Sequence, residues 1–554
     1  MTTAPSTRKD PDALRRHLLA AGLIALFFVF SYSLFGIQYR TNDDATLANI
    51  AAGAYGDSLH MVYVNFLFSA LLRPLYALAP ACNWYVFSQV FLMYCACVLL
   101  ADLALEKLGT LRGVLLTCIG MLTYSYVMLY RFQYVHTSGF FVASGLVLIA
   151  FTLGHPTGRT VAGILLALAG SMLRWPNFLA MGGMSAAMLL GFFFRLNREE
   201  QKKAVCTMLV LFALVFGAKG ADHLFYQMDP GWQAFTVYND ARTDFSDYAV
   251  FHIPGEAADF VAEGIFTPLE SQMLVRWDFF DPAVYTPDAL HAAADSIPMR
   301  PLHTALRETL RTLLELVHGA FYRYFFTGLL VYVLFFVRWN KKLLPLLCTM
   351  GIFTGMVLLL RYLNRFPSYV EVPMLLGLIL YGIACLALAD HRLPDTRWVL
   401  GAFLALLLLR YPGVVQGQIL ESRAYRERIP LEEPYMQAMH ADTDHLYLLS
   451  TEAITVTSGL DPLHPRPVGF HDNIVHYGGW LSAAPTGIEA MARYGVTRPL
   501  VDAVDNDAVY LGYHGIEYAA AYASEQLGCP VEAVDCGPNP FAPYQLRRVT
   551  TPQP

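Results

Sequence analysis

Apolar runs of about 18 residues or more recur along most of this chain, and no other feature constrains its fold as tightly. A helix of that length reaches across the hydrocarbon core of a bilayer. Charged residues make up only 15% of the 554 positions, against about 25% in a soluble globular protein. The expectation is an all-α polytopic membrane bundle. The formal net charge of −6 is spread over two aqueous faces and identifies no partner. No basic tail points to nucleic acid.

The start, "MTTAPSTRKDPDALRRH", carries Arg8, Lys9, Arg15 and Arg16 ahead of the first apolar run. That run, 17–36, is longer than the apolar part of a signal peptide, and no small-residue cleavage pattern precedes Asp43. It reads as an uncleaved first helix with a cytoplasmic N-terminus. Lys and Arg collect in short cytoplasmic loops, and three connections are plainly basic: 195–203, 338–342 and 391–397. They share one side only if 61–79 does not span. That segment holds Asn65, Arg73 and Pro74, and an Arg at mid-bilayer costs about 2.5–3.5 kcal/mol on insertion scales. Lying in the interface as an amphipathic helix avoids the cost. Spans are then expected at 17–36, 84–101, 113–130, 137–153, 160–173, 177–194, 204–221, 317–337, 343–360, 367–389 and 397–414, about eleven in all. Residues 1–414 form the membrane domain. Its loops 37–83 and 222–316 face outward, and 415–554 forms an extracytoplasmic domain of ordinary size.

That last part alternates strand-like and helix-like segments, which favours an α/β layering. Strands are expected at 445–450 and 508–513, and helices at 487–495 and 515–528, each stopped by a Gly. No internal repeat is visible. Seven of the nine cysteines lie in or beside apolar runs and read as small core residues. Cys529 and Cys536 pair only if that end meets an oxidising compartment.

The stretch "YRTNDDATLANIAAGAYG" (39–56) places Asp43 and Asp44 where the first span leaves the membrane. Leu47, Ile50, Ala51 and Ala54 follow at helical spacing, so Asn42, Asp43 or Asp44 can cap a short helix. A cap needs one acid. Two like charges at a dielectric edge call for a cation, a proton or a ligand. Arg131, Arg174, Arg361 and Arg365 fall at helix ends on the same side, beside aromatics. Each either snorkels to the interface or joins a site, where an Arg fork matches phosphate oxygens two at a time. "YNDARTDFSDY" (238–248) supplies Asp240, Arg242, Asp244 and Asp247, as a solvated loop or as a segment folded over substrate. In "HDNIVHYGGW" (471–480), Trp480 follows a Gly-Gly turn and is either a core residue or an exposed face for a sugar. "DAVDND" (502–507) lacks the far acid of an EF-hand loop.

A basic N-terminus, one span, a long outer loop opening on Asp-Asp, some ten further spans and an external C-terminal part together resemble the GT-C superfamily of polyprenyl-phosphate-sugar-dependent glycosyltransferases. "NDDATLANIAAGAYGDSLHMVYVN", "YNDARTDFSDY", "RYLNRFPSYVEVP" and "NIVHYGGW" also resemble bacterial multispan proteins of GT-C-like layout that have no activity to carry over. The resemblance implies a bacterial plasma-membrane protein and a polyprenyl-phosphate-linked sugar donor. It implies a saccharide or protein acceptor, an acid of the first outer loop (Asp43 or Asp44) as general base, and basic residues on the phosphate. Adjacent acids leave open a divalent cation, Mg or Mn, held by Asp43 and Asp44. Arg131, Arg174, Arg361 and Arg365 match the basic role by location; Arg242, Asp240 and Trp480 complete the expected substrate contacts. Two other readings compete: a flippase of lipid-linked saccharides, and a non-catalytic anchored binding protein.

Overall fold

The computed structural model describes residues 12–253, 255–388, 396–459, 461–537 and 539–549. Arg8, Lys9 and residues 391–395 of the third basic connection lie outside them. The first half is a helical bundle. It comprises α1 (Ala13–Phe35), α2 (Asn42–Ala52), α3 (Phe66–Leu78), α4 (Trp84–Leu108), α5 (Thr110–Ser125), α6 (Tyr134–Thr152), α7 (Gly158–Leu173), α8 (Trp175–Phe193) and α9 (Arg198–Gln227). Next come α10 (Pro230–Thr243), α11 (Pro268–Val275), α12 (Pro287–Asp295) and α13 (Leu302–Glu315). Then α14 (Arg323–Phe336), α15 (Leu344–Tyr362), α16 (Ser368–Leu388) and the long α17 (Thr396–Ala441) return to the bundle.

Among the described residues, nine helices are long and apolar enough to cross a membrane. Each of the eleven expected spans contains a helix among its described residues. Two of them, α7 and α14, have only 16 and 14 residues, about 24 and 21 Å at 1.5 Å per residue, short of the ~30 Å hydrocarbon core. The segment 61–79 holds only the 13-residue α3. Asn65 caps it, Asp222 of α9 accepts the Phe66 N–H at 2.9 Å, and Arg73 pairs with Asp57.

The bundle has two chemically distinct ends. At one, Asp102 is buried among Arg16 (3.1 Å), His17 (2.8 Å) and Arg159. His155 reaches Glu200 there at 2.9 Å. Gly191 lies against Pro345, so the connections 195–203 and 338–342 gather at this same end. At the other end a two-residue ribbon forms. Its strands, β1 (Gln38–Tyr39) and β2 (Arg131–Phe132), run parallel.

The C-terminal segment holds β3 (Leu446–Leu449), α18 (Ile454–Thr457), β4 (Ile474–His476), α19 (Pro485–Ala492), β5 (Val509–Leu511), α20 (Ile516–Leu527), β6 (Val531–Asp535) and β7 (Tyr544–Arg548). The strands make one sheet in the order β4-β3-β5-β7-β6. β4, β3 and β5 are parallel, while β7 runs against both β5 and β6. Its core is shared with the preceding loop. Phe235, Phe279, Tyr285 and Leu290 join Leu446, Val509, Leu511 and Tyr522 in one apolar cluster. The boundary expected at 415 therefore falls inside α17, and α10–α12 pack with the sheet.

Cys529 and Cys536 are free thiols. They flank β6, whose five extended residues span about 16 Å at 3.3 Å each, beyond the ~7 Å Cα limit for a disulfide. In 502–507, Asp502 caps the Thr497 and Arg498 N–H groups and Asp507 pairs with Arg547 at 2.6 Å. Those acids are committed to local structure.

Candidate functional site

The acid pair lies in the first turn of α2, after Thr41, whose extended backbone (φ −134°, ψ 157°) is the cap position. A helix N-terminus favours nearby carboxylates, which accounts for acids there but not for both. Asp44 is fully buried. Its Oδ1 accepts the Tyr134 N–H, the first of α6, at 2.8 Å, and Thr41 Oγ1 donates to Oδ2 at 3.4 Å. Asp44 thus joins the starts of two helices. Burial pushes its carboxyl well above the usual range, Asp43 adds to the rise, and the Tyr134 N–H opposes it.

Asp43 is only half-buried. The Trp480 indole N–H donates to its Oδ1 at 3.2 Å. Burial raises its carboxyl, the Arg174 guanidinium pulls it down, and Asp247 pushes it up. Among the described residues, Oδ2 has no hydrogen-bond donor.

Arg174 sits at the break between α7 and α8 with extended backbone (φ −154°, ψ 103°). Its guanidinium lies 4.9 Å from the Tyr63 ring centroid and 6.0 Å from that of Tyr134. Among the described residues it makes no side-chain hydrogen bond and no ion pair; Asp43 and Asp247 are its acidic neighbours. Opposite lies Asp247, bridged by Arg365 at 3.0 Å and Arg242 at 3.4 Å. Tyr369, second residue of α16, has Arg365, Asp247, Asp43 and Arg174 as its charged neighbours.

The expected residues therefore divide. Asp43, Arg174, Arg365 and Trp480 come together. Arg242 is adjacent but 1% exposed and engaged by protein, donating to Asn239 (2.9 Å), Thr243 (2.8 Å) and Tyr63 OH (3.1 Å). It holds the wall of the site, its guanidinium turned to protein partners. Trp480 is 5% exposed, its ring tilted against Tyr63 at 4.9 Å, so it anchors Asp43 and presents no open stacking face. Its Gly-Gly turn is required: a Cβ on Gly478 would strike the Trp277 carbonyl, and Gly479 has φ +80°. Arg131 pairs with Glu421 of α17 at 2.7 Å. Arg361 donates to Thr312 of α13 at 2.8 Å. Asp240 is exposed, with Asp244 and His291 as its nearest charges.

Tyr63, Tyr369 and Arg40 carry no signal in the sequence. Tyr63 enters the site from a strained position, since the preceding Val62 has φ +61°, an outlier for a β-branched residue. The Val62 N–H is held by Tyr226 OH at 2.7 Å.

Family models, curated proteins and solved structures offer no match to this chain.

A divalent cation held jointly by the acid pair does not fit this donor set. Both oxygens of Asp44 are engaged by hydrogen bonds. Among the described residues, no three His, Cys, Asp or Glu side chains gather as metal ligands. What remains is one carboxylate with a free oxygen facing a guanidinium with free donors. That arrangement can take a proton on one side and bind an anion on the other.

Proposed function

We propose that the chain is an integral-membrane glycosyltransferase of GT-C type, moving a sugar from a polyprenyl-phosphate carrier to an extracytoplasmic acceptor. The proposal includes eleven membrane crossings, a cytoplasmic N-terminus and an extracytoplasmic C-terminal sheet. The observation that carries it is Asp43 facing Arg174 at the bundle end opposite the basic connections.

Asp43 Oδ2 accepts the proton of the acceptor hydroxyl as that oxygen bonds to the anomeric carbon. A poor nucleophile gains most from a positioned base at this moment. The bond from the anomeric carbon to the carrier phosphate oxygen breaks, and its electron pair leaves on the phosphate. Arg174, with Arg365 behind it, stabilises the growing charge in a site partly shielded from water. Trp480 locks Oδ1, so Oδ2 alone is presented. Burial holds the Asp43 proton affinity above that of an exposed carboxylate, which makes it a better acceptor near neutral pH.

The test is transfer by purified chain from polyprenyl-phosphate sugars. Asp43→Asn is expected to abolish transfer and Asp44→Asn to keep it. Full activity in Asp43→Asn refutes the reading.

A further inference from the structure

A second group of guanidiniums lies across the start of α16 from Asp43. In the β1–β2 ribbon, Gln38 is paired with Arg131, so those side chains share one face. Arg40, two residues past Gln38 and hydrogen-bonded through its N–H to Phe132 O at 3.0 Å, returns to that face. Arg40 is half-buried. It donates to Ser368 Oγ at 2.5 Å and has no carboxylate within ion-pair distance among the described residues. Arg131 has one carboxylate, Glu421 at 2.7 Å, and its Nε is buried without a partner. Two guanidiniums thus face one carboxylate. Burial and the neighbouring Arg131 both pull the Arg40 guanidinium below its usual range, the mark of a cation short of counter-charge.

His136 is 0% exposed, with Arg40 as its charged neighbour and the Val127 backbone beside its ring. Native interiors hold few unpartnered polar groups such as Arg131 Nε. Two guanidiniums sharing one carboxylate, one of them with a buried unpartnered Nε, describe a place for an anion. Ser368 also opens α16, whose first N–H groups add positive potential.

We propose that Arg40 and Arg131 form a second oxyanion site, separate from the Asp43 cluster, that binds a phosphoryl group. Arg forks fit the oxygens of phosphate. Ser368 faces this site while its neighbour Tyr369 faces Asp43 and Arg174, so α16 separates the two. The assignment does not depend on glycosyl transfer. The phosphoryl group belongs either to a membrane lipid or to a soluble phosphate.

Calorimetric titration of the full chain in phosphatidylcholine nanodiscs tests this, with inorganic phosphate in one arm and a polyprenyl phosphate incorporated in the other. Binding is expected in one arm, which names the source. R40Q should weaken it about tenfold or more, with R174Q leaving that component intact. R131Q also frees Glu421; if it does not fold, R40Q alone decides, because Arg40 gives up only its bond to Ser368. Silence in both arms, or binding indifferent to R40Q, overturns the site. Lipid phosphate binding lost only in R174Q overturns it while leaving the Asp43 reading standing.

Discussion

One helical step turns Asp43 and Asp44 into different surroundings, since adjacent residues on a helix point about 100° apart. Asp44 meets the α6 N-terminus and Asp43 meets Arg174. Asn can replace Asp44 without loss of the acceptor to Tyr134, whereas Ala removes it. Asp44→Ala is expected to cost about 1 kcal/mol, read as a lower melting temperature. The raised Asp44 carboxyl also sets a pH dependence. A carboxyl whose folded pKa exceeds its unfolded value favours folding when protonated, so stability falls as pH climbs from the unfolded to the folded value and stays lower above it. Asp44→Asn should flatten that dependence and be no less stable than the parent chain at neutral pH. For Asp43 the consequence is kinetic. A base must be ionised, so transfer should fail below its raised pKa, at higher pH than for an exposed Asp. Arg174→Gln removes the cation that pulls that pKa down, so the acid limb of the pH profile should move further up.

Among the elements, α6 is the pivot, and it is nearly all buried. Its N-terminus takes Asp44, and small residues bring α7 against it. A Cβ on Gly163 would lie 2.7 Å from Gly145 O, and one on Gly170 would lie 2.7 Å from Ser138 O. Small residues at such crossings let helix backbones approach in a membrane. Gly163→Leu should cost about 1–3 kcal/mol or more, visible as a lower detergent-resistant melting temperature. It should also reduce activity, because α7 ends at Arg174. The existence of these helices was legible in the apolar runs. Their uneven lengths were less so. The 46-residue α17 continues far past its apolar stretch, because its polar half gains partners in the C-terminal segment, such as Glu433 with Arg466 at 2.5 Å. The ribbon and β4, at two and three residues, are too short for a periodic signal.

At the scale of the molecule, the C-terminal sheet is clamped onto α2. Arg466 N–H donates to Asn49 Oδ1 at 2.9 Å, Asn49 Nδ2 to Ser458 O at 2.5 Å, and His471 N–H to Ala54 O at 2.8 Å. Trp480 completes the clamp at Asp43. Trp480→Phe keeps the ring against Tyr63 but loses the indole N–H. It should lower the rate of transfer while leaving the melting temperature within about 1 kcal/mol of parent stability. Removing 442–554 should instead raise hydrogen exchange across α2 and abolish transfer, since α2 then loses all of these bonds.

Some of this is written in local residue order. Long apolar runs need lipid or a large core, so the helical bundle follows from composition and run length. The gathering of the two described basic connections at one end follows from the alternation of helices. The acid pair announced a site because two adjacent carboxylates at a span's end have no ordinary reason to be there. Folding alone decided which acid is a cap and which is free, that Trp480 is an anchor, that Arg242 is buried, and that Arg40 joins Arg131. The acid pair's partners, Tyr134 and Trp480, lie 90 and 437 positions away in sequence. Burial and hydrogen bonding are properties of the packed chain, and no local pattern records them.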